Sequence, residues 1–173
     1  MATTTITANA TTRRPAEITK ASYAPLAVLA LAQIGTSSDS AAMNLATASL
    51  VGTLGATLDD IQMATTLFSL IAGAFMIAGG LVGVTIGLHR ALAMGLSLAV
   101  AGEMVAALSP NIFAFTWGGR VIMGLGACLI TPSVLGLVAA LYQGRQRAIA
   151  FGTIAGAAAL STLSPLALGI VMD

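Results

Sequence analysis

The stretch WGGRVIMGLGACLITPSVLG, from Trp117 to Gly136, decides the fold of this chain. It is an apolar run of membrane-spanning length that contains one charge, Arg120. A cation at membrane depth costs a few kcal/mol or more unless it meets an anion, a carbonyl group or water. We therefore expect either a buried partner for Arg120 or a side chain that snorkels to the nearer membrane interface.

The helical face that carries Arg120 is small and mildly polar. Its members recur at steps of three and four residues, as one side of a helix requires. Apart from Arg120, they are Phe113, Trp117, Gly124, Ala127 and Thr131. This composition leaves room beside the guanidinium, as the wall of a cavity would. The face predicts that Trp117, Gly124 and Thr131 line such a cavity.

The composition places the chain in a membrane. Of its 173 residues, 57% are hydrophobic and only 8% are charged, and the mean hydropathy is +0.96. A soluble domain carries about 25% charged residues. The net charge of +1 gives no argument for a nucleic-acid partner. A single cysteine, a single histidine and the lack of a nucleophile–base pair predict no metal site, no cofactor and no enzyme activity.

Five helix-length apolar segments predict an all-α, polytopic membrane helix bundle of about five transmembrane helices. A polar tail, residues 1–22, precedes them, and residues 23–173 form the transmembrane domain. Each segment meets the ~20-residue requirement of a spanning helix, or nearly so. The segments cover residues 23–47, 61–84, 91–108, 112–141 and 148–172, with turns at 59–60, 88–90, 109–111 and 143–147.

The basic residues set the orientation. They all fall on one side if every segment spans: Arg13, Arg14, Lys20, Arg90, Arg145 and Arg147. The opposite side has Asp59, Asp60 and Asp173 and no Lys or Arg. Because basic loops stay in the cytoplasm, the N-terminus and the polar tail are predicted to be cytoplasmic.

The first segment carries a polar stripe at steps of three and four residues. Its members lie within about 100° on a helical wheel, and they are Gln33, Thr36, Ser37, Ser40, Asn44 and Thr47. Such a stripe should face water or other polar groups. The alternative is that its Ser and Thr side chains bond back to the carbonyls of their own helix. We predict a solvated central cavity, lined on this side by Gln33, Ser37, Ser40 and Asn44.

Two carboxylates compete for Arg120. Asp39 flanks the polar stripe, deep in the first segment. Glu103, in the third segment, and Arg120 are nearly equidistant from the turn at 109–111, so a hairpin would bring them to similar depth. The sequence alone does not decide between the two. The polar stripe and the small face around Arg120 favour Asp39.

Two motifs within the apolar segments carry a family resemblance. The fourth segment contains the pattern RxxxGxG, formed by Arg120, Gly124 and Gly126, with a small residue two positions further on. The first segment contains SDSAAMNLATA, which keeps Asp39 and Asn44 of the pattern LDxTxVNxALP. The Thr and Pro of that pattern are both replaced by Ala.

Two further motifs are kept in part. GLVGVTIGLHR keeps Gly80, Gly87 and Arg90 of the loop motif GxLxDRxGRxR but lacks its acidic residue. SPLALG keeps Pro165 and Gly169 of the helix-five pattern GPxxGG. On these motifs, from about residue 26 to the end, the chain resembles the N-terminal part of a major facilitator superfamily transporter. The branch it resembles is the fourteen-helix drug:proton antiporters.

The resemblance implies a partial N-terminal half of a fold built as two halves around a central cavity. It implies proton-coupled export of small, often amphipathic or drug-like compounds across a bacterial inner membrane, with the lipid bilayer, the compound and protons as partners. Asp39 would be the proton- and cation-binding carboxylate, tuned by Arg120, with Glu103 as the further candidate. The loop residues Gly80, Gly87 and Arg90 would take part in gating.

A non-transporting function is the alternative. On this hypothesis the chain is a truncated membrane protein or an accessory subunit. It would pack against itself or against a second membrane chain through GxxxG-like faces, such as the one formed by Gly152 and Gly156.

Overall fold

A computed structural model of the chain describes residues 23–162. Its α-helices are α1 Tyr23–Leu54, α2 Leu58–Ala74, α3 Met76–Ile86, α4 Leu88–Ala107, α5 Ile112–Ala114, α6 Val121–Leu141 and α7 Gly144–Thr162. A π-helical segment, Phe115–Arg120, joins α5 to α6. Residues 23–162 contain no strand, and the predicted all-α class is confirmed. The predicted tail, residues 1–22, lies outside this range.

The central helix is α6. It packs most extensively on α4, and it also contacts α1, α2, α3 and α7. Ile130, Val134 and Val138, one turn apart on α6, are fully buried. They share the larger apolar core with Leu29 of α1 and Ile154 of α7. The stretch that carries Arg120 therefore lies at the centre of the bundle.

Glycines let α4 and α6 approach each other backbone to backbone. Gly95 lies against Gly126, and Gly102 lies against Gly119 at the end of the π segment, so the two helices run antiparallel. A Cβ atom on Gly95 would lie 2.9 Å from the Gly126 carbonyl oxygen, and one on Gly102 would lie 2.9 Å from the Gly119 oxygen. Small residues at contact points are the usual means by which helices pack closely in lipid.

The start of α2 differs from the predicted turn at 59–60. Asp59 and Asp60 lie inside the first turn of α2, because Thr57 caps the helix. The Asp60 N–H donates to Thr57 Oγ1 at 3.2 Å, and the Thr57 N–H donates to the Asp60 carboxylate at 2.9 Å. This reciprocal pair satisfies backbone donors that a helix start otherwise leaves free, so the helix begins earlier than its apolar residues suggest.

The predicted turn at 88–90 is wrong. A single residue, Gly87, separates α3 from α4, and its φ of 97° and ψ of 133° suit glycine because a Cβ atom would be strained there. Arg90 lies in the first turn of α4, and Gly80 lies within α3. The predicted gating loop of residues 80–90 is thus mostly helical.

By length and hydropathy, fewer helices could cross a membrane than the five that the sequence predicts. Among the described residues, two helices are each long and apolar enough to cross a membrane. They are Leu88–Ala107 and the continuous Ile112–Leu141. The α2–α3 pair, which is bent by 47°, adds a third if it is counted as one span. In α1 the polar stripe and Asp39 lower the hydropathy, and Arg145 and Arg147 occupy the first turn of α7. All five predicted segments nevertheless lie in helices over nearly all of their described residues, although Phe75 divides the segment 61–84 into α2 and α3.

Candidate functional site

Arg120 and Asp39 form a buried ion pair between the π segment and α1. Arg120 Nη1 donates to Asp39 Oδ1 at 2.5 Å, and Nη2 donates to Oδ2 at 2.9 Å. Arg120 is 2% exposed and Asp39 is 7% exposed. Two parallel hydrogen bonds fix the orientation of both side chains. The partner of Arg120 is therefore Asp39, and the interpretation of Arg120 as a snorkelling side chain is wrong.

The surroundings of the guanidinium are apolar. It lies over the ring of Phe68 on α2, 4.7 Å from the ring centroid, and cation–π attraction of this kind is strengthened by loss of water. Nη1 also lies 3.9 Å from Met123 Sδ on α6. Arg120 is the last residue of the π segment, and π-helical turns are rare and frequently occur at functional sites.

A cavity of about 300 Å³ lies beside Asp39. Residues of α1, α2, α4 and α6 form its walls, and the polar ones among them are Thr36, Asp39 and Glu103. The remaining walls are apolar and include Leu31, Phe68, Leu96, Met104 and Met123. The volume is at the lower end of the ~300–1,000 Å³ range of small-molecule sites.

Part of the polar stripe of α1 forms hydrogen bonds within its own helix. Gln33 Nε2 donates to Ser37 Oγ at 3.4 Å, and the Thr36 hydroxyl donates to the Gln33 carbonyl at 3.0 Å. The Thr47 hydroxyl donates to the Met43 carbonyl at 2.9 Å. Back-bonding within the helix, the alternative noted above, thus accounts for both threonines.

The predicted lining residues of α1 lie away from the cavity beside Asp39. Gln33 and Ser37 are half-buried and Asn44 is exposed, and none of the three belongs to its lining. Thr36 does belong to it, although it was not among the residues singled out as lining. The side chain of Ser40 lies outside the described residues.

The predicted lining residues near Arg120 also lie elsewhere. Trp117 is 51% exposed and packs on Phe113, with ring centroids 6.2 Å apart. Gly124 faces α2, where a Cβ atom would lie 3.1 Å from Ile71 Cβ. Thr131 is half-buried. None of the three lines the cavity beside Asp39.

Glu103 lies on α4 and contributes to two cavities. One is the cavity beside Asp39. The second, of about 400 Å³, is bounded by the end of α1 and the end of α4 and includes Leu54, Ser109 and Phe115. Glu103 is the one residue that both linings share. Its side chain is exposed, in contrast to Asp39.

The remaining predicted site residues do not belong to the Asp39–Arg120 pair or to the lining of the cavity beside it. Gly80 is half-buried, and a Cβ atom there would lie 3.6 Å from Pro132 Cβ. Gly87 and Arg90 are exposed, at the junction of α3 and α4. Pro165 and Gly169 lie outside residues 23–162. Within those residues, no group of three or more His, Cys, Asp or Glu side chains could hold a metal ion.

The sequence of this chain is similar to those of known membrane transporters. Residues 29–173 match the family model for the Major Facilitator Superfamily. The chain is 32% identical, over 150 residues, to the methylenomycin A resistance protein of Bacillus subtilis, a match that covers 86% of this chain and 32% of that protein.

Two further relatives match a similar part of the chain. A probable actinorhodin transporter of Streptomyces coelicolor is 28% identical over 152 residues, which cover 87% of this chain and 26% of the relative. A methyl viologen resistance protein of Salmonella typhimurium is 27% identical over 150 residues, which cover 86% and 30%. The chain spans about a third or less of the length of these relatives.

Proposed function

This chain belongs to the Major Facilitator Superfamily, and we propose that it forms the N-terminal part of a proton-coupled exporter of small amphipathic compounds. The relatives are named for resistance to methylenomycin A and methyl viologen and for probable transport of actinorhodin, which are small molecules. The proposed location is a bacterial inner membrane with a cytoplasmic N-terminus, as the one-sided placement of Lys and Arg predicts.

The observation that carries this proposal is the buried Asp39–Arg120 pair beside an apolar cavity. Apolar walls suit the body of an amphipathic compound, because they replace water around it. The buried pair places two ionisable side chains at the same space. Intramembrane ionisable residues of this kind mark substrate and proton pathways.

The charges at the cavity explain how protons and compound would be exchanged. With both carboxylates ionised, Asp39, Glu103 and Arg120 sum to one negative charge. One proton on either carboxylate brings this sum to zero. A cationic compound is therefore held more strongly by the deprotonated site, and a proton and the compound compete for it. A transporter that exchanges protons for the compound requires such competition at one site.

Binding of tetraphenylphosphonium to the purified chain tests the proposal. We expect the affinity to fall as the pH is lowered from roughly 8 to about 4, where carboxylates ordinarily take up protons. Asp39→Asn should bind weakly at every pH. Asp59→Asn, a matched change at the exposed start of α2, should behave like the unaltered chain. Affinity that is independent of pH and unchanged by Asp39→Asn would contradict the proposal.

A non-transporting accessory function has one observation in its favour. Gly152 and Gly156 are exposed on α7, and a Cβ atom on either would meet nothing within 4 Å. Glycines four residues apart allow a second helix to approach closely. If this function is correct, the purified chain should form a stable dimer that Gly156→Leu disrupts, and it should bind no tetraphenylphosphonium. Analytical ultracentrifugation in detergent measures whether the dimer forms.

A further inference from the structure

Helices α3, α4 and α6 form an apolar groove that shares no residue with the cavity beside Asp39. We call it the α3–α4 groove, and its volume is about 270 Å³. It is lined by Phe75, Ala78, Gly79, Val82, Leu98, Leu125, Cys128 and Leu129. The Cys128 thiol donates to the Leu125 carbonyl of its own helix at 3.0 Å. The groove therefore complements hydrocarbon and offers little to a polar ligand.

The floor of the groove hides a backbone carbonyl. Pro132 has no N–H to donate to the Cys128 carbonyl one turn earlier in α6. The Gly79 Cα of α3 packs directly on that carbonyl, and a Cβ atom at Gly79 would overlap it. The carbonyl is thus covered by α3.

The groove opens on the outside of the bundle. Phe75, Val82 and Leu125 in its walls are all exposed. Beside them on α3, Ile77 and Leu81 are among the most exposed large apolar side chains of the described residues. Contiguous exposed apolar surface marks a contact with a membrane or with a partner. In a chain with membrane-spanning helices, such a groove lies against acyl chains.

One side of α4 connects the groove to a basic residue. Leu98, Met94 and Arg90 recur at steps of four residues and so share one side of the helix. Met94 and Arg90 are both exposed. At ~1.5 Å per residue, Arg90 lies about 12 Å along α4 from Leu98. One leaflet contributes about 15 Å to the ~30 Å hydrocarbon core. A phospholipid whose acyl chain contacts Leu98 therefore has its phosphate near Arg90.

The charge around Arg90 suits an anionic headgroup. Among residues 23–162, no carboxylate lies within 4 Å of the Arg90 guanidinium. Glu103, on the same helix, is about 20 Å further along at ~1.5 Å per residue. Asp59 and Asp60 lie at the start of α2, at the other end of the α2–α3 pair. Basic residues at a membrane surface attract anionic lipid.

We propose that the α3–α4 groove binds an anionic phospholipid, with an acyl chain against Phe75, Leu98 and Leu125 and the phosphate at Arg90. The groove supplies the shape and Arg90 supplies the preference for a negative headgroup. This site is independent of the proposed function, because its residues lie outside the cavity beside Asp39.

Two lipids with the same acyl chains and different headgroups test the charge preference. Native mass spectrometry of the purified chain measures the affinities for phosphatidylglycerol and for phosphatidylcholine. We expect phosphatidylglycerol to bind more tightly. Arg90→Gln should lower the ratio of the two affinities by about five-fold, the order expected for one Arg near an anionic headgroup. Arg90→Lys should retain most of the ratio.

The control for charge is Arg145→Gln, which removes an exposed positive charge at the start of α7, outside the groove. It should leave the ratio unchanged. Equal affinities for the two lipids in the unaltered chain overturn the proposal. So does a ratio that Arg90→Gln leaves unchanged or that Arg145→Gln lowers equally.

A filled groove tests the acyl-chain contact. Ala78→Phe places a ring in the groove and should lower the affinities for both lipids by similar factors. Ala155→Phe makes the same change at an exposed position of α7 and should lower neither. Lipid binding that Ala78→Phe leaves unchanged overturns the proposal. A lipid-free dimer that Ala78→Phe disrupts also overturns it, because the occupant is then a second copy of the chain.

Photolabelling locates the lipid on the unaltered chain. A phosphatidylglycerol that carries a diazirine in one acyl chain is activated by light, and mass spectrometry maps the adducts. Adducts should concentrate on Phe75, Leu98 and Leu125. Adducts spread evenly over the exposed apolar residues of all helices would show that the lipid acts only as solvent, and the proposal would be wrong.

Discussion

Arg120 and Asp39 each make the burial of the other possible. The Arg120 guanidinium is surrounded by the Asp39 carboxylate, the Phe68 ring and the Met123 sulfur. Removing one member of a buried ion pair leaves an uncompensated charge in a medium of low dielectric constant. The charge of the remaining member then destabilises the fold. A second substitution that removes this charge should restore stability, so a double substitution tests the pair.

Arg120→Ala should lower the free energy of unfolding by about 3–5 kcal/mol, the usual cost of stranding one partner of a buried pair. Adding Asp39→Asn should restore a large part of this loss, because the stranded charge is then gone. Adding Glu103→Gln should not. Thermal unfolding in detergent measures all of these variants. Unfolding of Arg120→Ala at the temperature of the unaltered chain would show that the pair has no stabilising role.

The sequence indicates the charged residues of the site but not its walls. A charge inside an apolar segment is conspicuous, so Asp39, Glu103 and Arg120 could be identified from the sequence alone. Phe68 and Met123 look like any other apolar residues of their helices, and only their three-dimensional arrangement assigns them to the cavity. Hydrogen bonds within α1 account for part of its polar stripe, and the assignment of that stripe to a solvated central cavity stays a prediction.

At the scale of the helices, the closest packing lies between α4 and α6. Gly95→Leu should destabilise the bundle by about 1–3 kcal/mol or more, because an added side chain has no room to move. Its Cβ atom would lie 2.8 Å from Ile130 Cγ1 and 2.9 Å from the Gly126 carbonyl oxygen. Thermal unfolding in detergent measures the loss.

Gly152→Leu is the matched control, since it makes the same change on the exposed and open face of α7. It should cause no loss of stability, because leucine at an open helix position has a higher helix propensity than glycine. Equal losses in Gly95→Leu and Gly152→Leu would mean that the tight contact does not limit stability.

Hydropathy predicts the helical segments of this chain better than it predicts their ends. An apolar run of about 20 residues is a strong signal, and all five runs lie in helices over nearly all of their described residues, with one break at Phe75. A helix end depends on one or two capping residues. Thr57 starts α2 ahead of its apolar residues, and Gly87 reduces an expected loop to a single residue. Both effects are local and leave hydropathy almost unchanged.

At the scale of the whole molecule, the orientation in the membrane stays a prediction that labelling can check. Cys128 is first replaced by Ser, and single cysteines are then placed at Pro110 and His89, which are both exposed. A membrane-impermeant maleimide added outside the cells should label position 110 and not position 89, because Arg90 marks the cytoplasmic side. The opposite pattern would reverse the orientation and move the N-terminus outside.

The two glycine contacts between α4 and α6 also have a mechanical consequence. They recur seven residues apart on both helices, so sliding one helix by a single turn of ~5.4 Å would drive side chains into the facing backbone. The two helices are therefore held in one register. Arg120, at the junction of the π segment and α6, belongs to this pair of helices, whereas Asp39 belongs to α1. Their ion pair therefore connects α1 to the α4–α6 pair.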